Sequence, residues 1–201
     1  MNTIKSGLRV AIAVMALPVS LYFSSLASFA QAPAPAPASD WKAIVQNRLL
    51  LYGHRNWIVV SDSAFPAYSE PGVETIAVNE DIPSVLKYVA HAISASRHVR
   101  ATVFVDQELQ FIDEHDYPGV TELRKQIAAQ FANEKVQTMP HADVMNKVDE
   151  AGKTFRILFI KTTSTIPYTS VFMRLDCGYL SDEGERKIRA AIAAAGSQQP
   201  K

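Results

Sequence analysis

Apolar residues change their spacing along the chain in a way that separates a leader, a spacer and an alternation of strands and helices. A nearly unbroken apolar run fills residues 10–26, with Lys5 and Arg9 before it and small residues after it. Trp41, Ile44, Val45, Leu49 and Leu50 then recur at helical spacing. Ser39 or Asp40 is placed to cap that helix and Gly53 to stop it. Residues 56–61 predict a strand buried on both faces, because Trp57, Ile58, Val59 and Val60 leave it no polar side. Short runs rich in β-branched residues predict further strands at 74–78 and 100–106. Between them, 82–96 is an amphipathic helix capped by Asp81, with Pro83 tolerated in its first turn.

The second half repeats the alternation. A helix is expected over 120–132, a strand over 135–139, a helix over 142–150, strands over 155–161 and 170–176, and an alanine-rich helix over 183–195 with Lys and Arg on one solvated face. Strands separated by helices predict an α/β fold, a three-layer αβα arrangement with a largely parallel sheet. Small ligands bind such sheets beyond the carboxyl ends of the strands. Asp62 ends the first strand and Asp106 the third, so both reach one crevice.

Length and charge narrow the function. The 201 residues allow one domain, expected over residues 40–196. Twenty basic and twenty acidic residues cancel, and no basic stripe interleaves with aromatics, which argues against a nucleic-acid partner. No glycine-rich phosphate loop is present. The histidines (His54, His91, His98, His115 and His141) lack metal-ligand spacing, so no metal is expected. Cys177 is the single cysteine; without a positive neighbour it reads as an inert core residue rather than a nucleophile.

The charged, apolar, small order of the N-terminus reads as a secretory signal peptide over residues 1–30. Cleavage after Ala30 is preferred, since a cut after Ala32 would leave Pro33 immediately behind it. Residues 31–39 form a Pro/Ala-rich linker of extended polyproline character. A secreted or periplasmic protein follows, with no stable membrane span once the signal is removed. The alternative is an N-terminal membrane anchor, since the apolar run approaches the roughly 17 residues a span needs; Pro18, Ser20, Ser24 and Ser25 weaken it.

The chemistry concentrates around residues 53–66, where a hydrophobic strand carries His54 at its entrance and Asp62 at its exit. At about 3.3 Å per residue the two cannot face each other along the strand. They meet through a bend, a loop or a neighbouring subunit. A group that gives and takes a proton near neutral pH, combined with a fixed hydrogen-bond acceptor, suits chemistry on a polyhydroxylated small molecule. Each residue also has a plainer use: His54 as a turn residue, Asp62 as a turn cap, His141 as the lead-in to a helix, Tyr168 as a core plug. Asp106 and Glu108 are expected to pair internally with Arg100 or Arg124. Glu114, His115 and Asp116 read as a solvated turn, and Trp57 and Tyr88 as core.

Four segments carry a family resemblance in the right order. Gly53-His54 with Asp62 and Pro66, then Asp81-Ile82-Pro83-Ser84-Val85-Leu86, then Ala101-Thr102-Val103-Phe104-Val105-Asp106-Gln107-Glu108, and finally Ile160-Lys161-Thr162-Thr163-Ser164-Thr165-Ile166-Pro167-Tyr168-Thr169-Ser170 resemble the D-ribose pyranase and L-fucose mutarotase family over roughly residues 43–180. The resemblance implies a ribose-pyranase-like fold and a cofactor-independent isomerase that interconverts cyclic forms of a monosaccharide. It implies His54 as the acid/base, and Asp62, His141, Tyr168 and Ser170 as substrate-binding residues. It also implies a ring-shaped homo-oligomer, a decamer by that resemblance, with sites between subunits, so that His54 and Tyr168 come from different chains. The chain departs from the pattern at Ser170, where the family has asparagine, and at Ser164, where it has Gly-Glu. A hydroxyl offers less than an amide. The competing expectation is therefore an exported sugar-binding or interaction module that keeps the scaffold without turnover.

Overall fold

The computed structural model describes residues 40–132, 134 and 136–196. The signal peptide and linker expected over residues 1–39 lie outside the described residues.

Eleven regular elements follow the expected order. They are α1 (Trp41–Leu51), β1 (Trp57–Ser61), β2 (Val73–Ala77), α2 (Ile82–Ala95), β3 (Val99–Asp106), α3 (Val120–Gln130), β4 (Val136–Met139), α4 (His141–Gly152), β5 (Ile157–Lys161), β6 (Val171–Cys177) and α5 (Asp182–Gly196), with a short 3-10 turn Gln107–Phe111 after β3. Local chemistry accounts for the helix starts. The Asp40 side chain accepts the Ala43 N–H at 3.2 Å and the Asp81 side chain the Ser84 N–H at 2.9 Å, each satisfying a donor the helix cannot satisfy itself. The end of α1 differs from expectation. Its last turn closes at Tyr52 in extended conformation. The left-handed residue of the following turn is Arg55, at φ 76°, while the Gly53 N–H donates to Asn56 Oδ1 at 2.8 Å.

The strands form one six-stranded sheet in the order β2-β5-β1-β6-β3-β4. β2, β5 and β1 are mutually parallel, as are β3 and β4; β6 runs antiparallel to both β1 and β3. Period-two alternation divides β1 between the two faces of the sheet. Ile58 and Val60 join a cluster under α1, α2 and α3 that contains Trp41, while Trp57 and Val59 join a second cluster under α4. This double burial is why β1 reads as continuously apolar. On the α4 face, Phe159 is wholly buried and stacks on Phe65 and Tyr68, at centroid distances of 4.9 and 5.0 Å. The segment leaving β1 is thereby pinned to the sheet, and the Tyr68 hydroxyl donates to Asp149 of α4 at 3.0 Å. α5 is exposed, its charges paired along the helix as Glu183–Arg186 and Glu185–Arg189. Among the described residues no helix is long and apolar enough to cross a membrane.

Three substitutions test this packing. Phe159→Ala removes a ring held by two others and should cost about 3–5 kcal/mol, read as a lower urea midpoint, whereas Leu50→Ala, at an 80 % exposed position, should stay within about 0.5 kcal/mol. Gly72→Ala should also destabilise the fold, because a Cβ there would lie 2.5 Å from the Gly152 carbonyl oxygen and 2.9 Å from that of Phe155.

Candidate active site

The direction of β6 decides which residues share an end of the sheet. Its first residue, Val171, pairs with Val60 on one side and Val105 on the other. Tyr168 and Ser170, just before it, therefore stand beside the residues that close β1 and β3, Asp62 and Asp106. β4 pairs with β3 so that Met139 lies opposite Asp106. Pro140 then opens α4 and brings His141 to the same end.

Contacts tie this group together. Asp106 is wholly buried. Its Oδ2 lies 3.0 Å from His141 Nδ1, and its Oδ1 has no hydrogen-bond partner among the described residues. Burial pushes the Asp106 carboxyl up to about 6; the His141 ring pulls it the other way, and the Glu108 and Asp62 carboxylates add to the rise. Glu108 accepts the His141 backbone N–H on both carboxylate oxygens, at 3.1 and 3.0 Å. Pro140 provides no side-chain cap, so a carboxylate from the neighbouring 3-10 turn caps α4 instead.

Asp62 serves both its turn and the site. Its Oδ1 accepts the Ala64 N–H at 2.9 Å, and its Oδ2 accepts the Ser170 hydroxyl at 3.4 Å. The loop carrying Tyr168 is held by side-chain hydroxyls: Thr162 Oγ1 donates to the Ser61 carbonyl at 2.8 Å and Thr169 Oγ1 to that of Ile166 at 2.7 Å. Tyr168 sits at φ 57°, a left-handed conformation that costs a non-glycine residue energy. Its ring meets His141 edge to face, 5.4 Å between centroids and 82° between planes. Asp62, His141, Tyr168 and Ser170 thus converge in one chain.

His54 does not join them. It stands before β1, while Asp62 follows that five-residue strand, which at about 3.3 Å per residue sets them some 15 Å or more apart. The His54 ring is 58 % exposed, with Nε2 3.6 Å from Asp176 Oδ1 at the far end of β6. Asp176 is itself held by the Thr102 hydroxyl at 2.6 Å and Arg174 Nη2 at 3.2 Å. A cleft of about 1140 Å³ opens here; His54, Arg100, Thr102, Arg174 and Asp176 line it. A neighbouring groove of about 860 Å³ runs from His54 along α4 past Asp143 and Lys147.

Sequence reasoning misassigned two acids. Arg100 bonds Asp182, and Arg124 donates to the carbonyls of Leu109 and Ile112, so neither pairs with Asp106 or Glu108. Arg100 lies at the opposite end of β3 from Asp106, and Arg124 is occupied by carbonyls at the 3-10 turn. The signal available was the pair of acids two positions apart at a strand exit; their partner, His141, is 35 residues from Asp106. Asp176 was also missed. Glu114, in the turn read as solvated, accepts the N–H groups of Gly119 and Thr121, and those bonds hold its carboxyl down to about 2. Cys177 is half-buried and free. Among the described residues no group of His, Cys, Asp and Glu side chains is arranged to hold a metal ion.

The model of the RbsD / FucU transport protein family matches residues 43–196. No curated protein sequence matches the chain. Among solved structures, Bacillus subtilis RbsD complexed with D-ribose aligns at 15% identity with a TM-score of 0.47, covering 71% of this chain and 97% of that one. The fucose mutarotase of Streptococcus pneumoniae in complex with L-fucose aligns at 15% identity and TM-score 0.44, covering 65% and 89%. FucU from Bifidobacterium longum aligns at 12% identity and TM-score 0.43, covering 67% and 94%.

The Asp106 carboxyl sets a pH dependence of known sign. Its folded value, about 6, lies above its ordinary 3.8, so its contribution to stability is present below the unfolded value and is lost as pH rises through 6. Asp106→Asn lacks that loss. Its melting temperature relative to the wild type should rise by a few degrees between pH 5 and pH 7, and the opposite trend would show Asp106 ionised without cost in the fold.

Proposed function

The chain belongs to the RbsD / FucU transport protein family, and from that premise we propose that it is an exported, cofactor-independent sugar mutarotase or pyranase. The observation that carries the reading is the convergence of Asp62, Ser170, Tyr168 and the Asp106–His141 pair at one end of the sheet. Acceptors, donors and an aromatic edge placed together recognise a compact molecule with several hydroxyls. Interconverting its cyclic forms needs one proton taken from the anomeric hydroxyl and another delivered to the ring oxygen. No redox or group-transfer cofactor enters.

In this reading Asp62 and Ser170 hold sugar hydroxyls, with His141 and Tyr168 holding others. His54 is an acid/base supplied by a neighbouring protomer, because its own Asp62 lies at the other end of β1. The exposure of His54 and the clefts beside it suit such an interface. The protein then works as a closed homo-oligomer, in the secreted or periplasmic space after loss of residues 1–30.

The distance of His54 from the cluster also favours a second reading, an exported sugar-binding module without turnover. Saturation-transfer NMR on ribose, fucose and other monosaccharides separates the two. Exchange between anomers or ring sizes is expected, falling about 10²-fold or more in His54→Ala; binding without exchange establishes the module. Asp62→Ala should weaken sugar binding about tenfold or more through loss of a charged hydrogen bond. Light scattering should give a homo-oligomer, and a monomer that still exchanges anomers removes His54 from the reaction.

A further inference from the structure

We propose that His141 is a second acid/base group of the site, acting through Nε2, and that Asp106 is the positioning residue that prepares it. The inference rests on the mutarotase reading for its chemistry but stands on geometry of its own.

A histidine that only bound a hydroxyl would need one free ring nitrogen and no buried partner. His141 is built into more than that. Its Nδ1 faces the wholly buried Asp106 at 3.0 Å, its backbone N–H is clamped by Glu108, and its ring abuts Tyr168. Nδ1 carries the proton in such a contact, since a carboxylate accepts and does not donate. Nε2 is then left with its lone pair and no partner among the described residues. A proton arriving at Nε2 makes an imidazolium in contact with an anion already in place.

Asp106 has little else to do. Its Oδ1 is buried without a partner, a costly arrangement for a purely structural carboxylate. The burial that raises its affinity for a proton, together with the nearby Glu108 and Asp62, keeps the Nδ1 proton under pull from both sides. The groups facing the ring are Asp106 from β3, Glu108 from the 3-10 turn and Tyr168 from the loop before β6, with Asp62 acting on the pair from beyond β1.

The step balances without any added reagent. Nε2 takes the anomeric hydroxyl proton as the C1=O bond forms; the bond from C1 to the ring oxygen breaks, its electron pair goes to that oxygen, and the oxygen takes a proton from the imidazolium of His54. Reclosure on the other face of the carbonyl reverses both transfers.

Nitrogen-15 NMR of the intact oligomer, with His141 assigned through His141→Gln, tests the proposal directly. The wild type should show the Nδ1–H tautomer, and Asp106→Leu should release it toward Nε2–H, with Asp106→Asn intermediate. In saturation-transfer kinetics on the sugar that exchanges best, Asp106→Asn should lower kcat about tenfold or more with KM within about threefold. An Nε2–H tautomer in the wild type, or a change confined to KM, overturns the proposal. Should the wild type exchange no sugar at all, the mutarotase reading and the acid/base role fall together, while the tautomer result still decides whether Asp106 positions the ring. Where Asp106→Leu does not fold, the wild-type tautomer and the Asp106→Asn kinetics decide alone.

Discussion

The insertion of one antiparallel strand between two parallel ones is the constraint on which the arrangement of this molecule depends. Backbone pairing of β6 with both β1 and β3 leaves it no freedom of direction or register. A strand that opens where its neighbours close puts the residues at its start among theirs, and the residues at its finish beside their beginnings. Ser170 is therefore bound to meet Asp62, just as Asp176 is bound to meet His54. The sheet has two chemically equipped ends, joined by the length of β6.

Rigidity at the Asp106 end comes from satisfying backbone groups with side chains. Hydroxyls of Thr162 and Thr169 hold the loop before β6, and Glu108 closes the exposed start of α4. The strain at Tyr168 persists because these bonds and Pro167 overdetermine the loop. Against that framework a buried carboxylate is tolerated, with an imidazole as its one side-chain partner among the described residues. The Asp176 end is looser. The contact of its histidine with Asp176 spans 3.6 Å and the ring is largely exposed, as befits a surface that completes another copy's site under the proposed function.

Much of the architecture was readable in the residues. The apolar continuity of Trp57 to Val60, the caps at Asp40 and Asp81 and the alternation of periods located the six strands and five helices. The direction of β6 had a signal too: the connection from Lys161 to Val171 has no room for the helix that a parallel crossover needs. Long-range chemistry was less legible. Asp106 and Arg100 sit six positions apart on one strand, and linear proximity suggested a pair that the strand geometry forbids. The link between Asp106 and His141 depends on β4 lying beside β3, a fact of strand order that no local pattern contains. His54 and Asp62 were correctly seen to be unable to meet along their strand, and the structure keeps them at its two ends.

The placement of the aromatic residues has a practical consequence. The chain has two tryptophans, and the sheet separates them: Trp41 lies in the cluster beneath α1, α2 and α3, bonded through its indole N–H to Glu80, and Trp57 lies on the opposite face, stacked on Phe104. Fluorescence from a variant retaining either indole would report on one layer alone. The order in which the two layers come apart during denaturation is thus accessible to an ordinary fluorimeter, without an added dye.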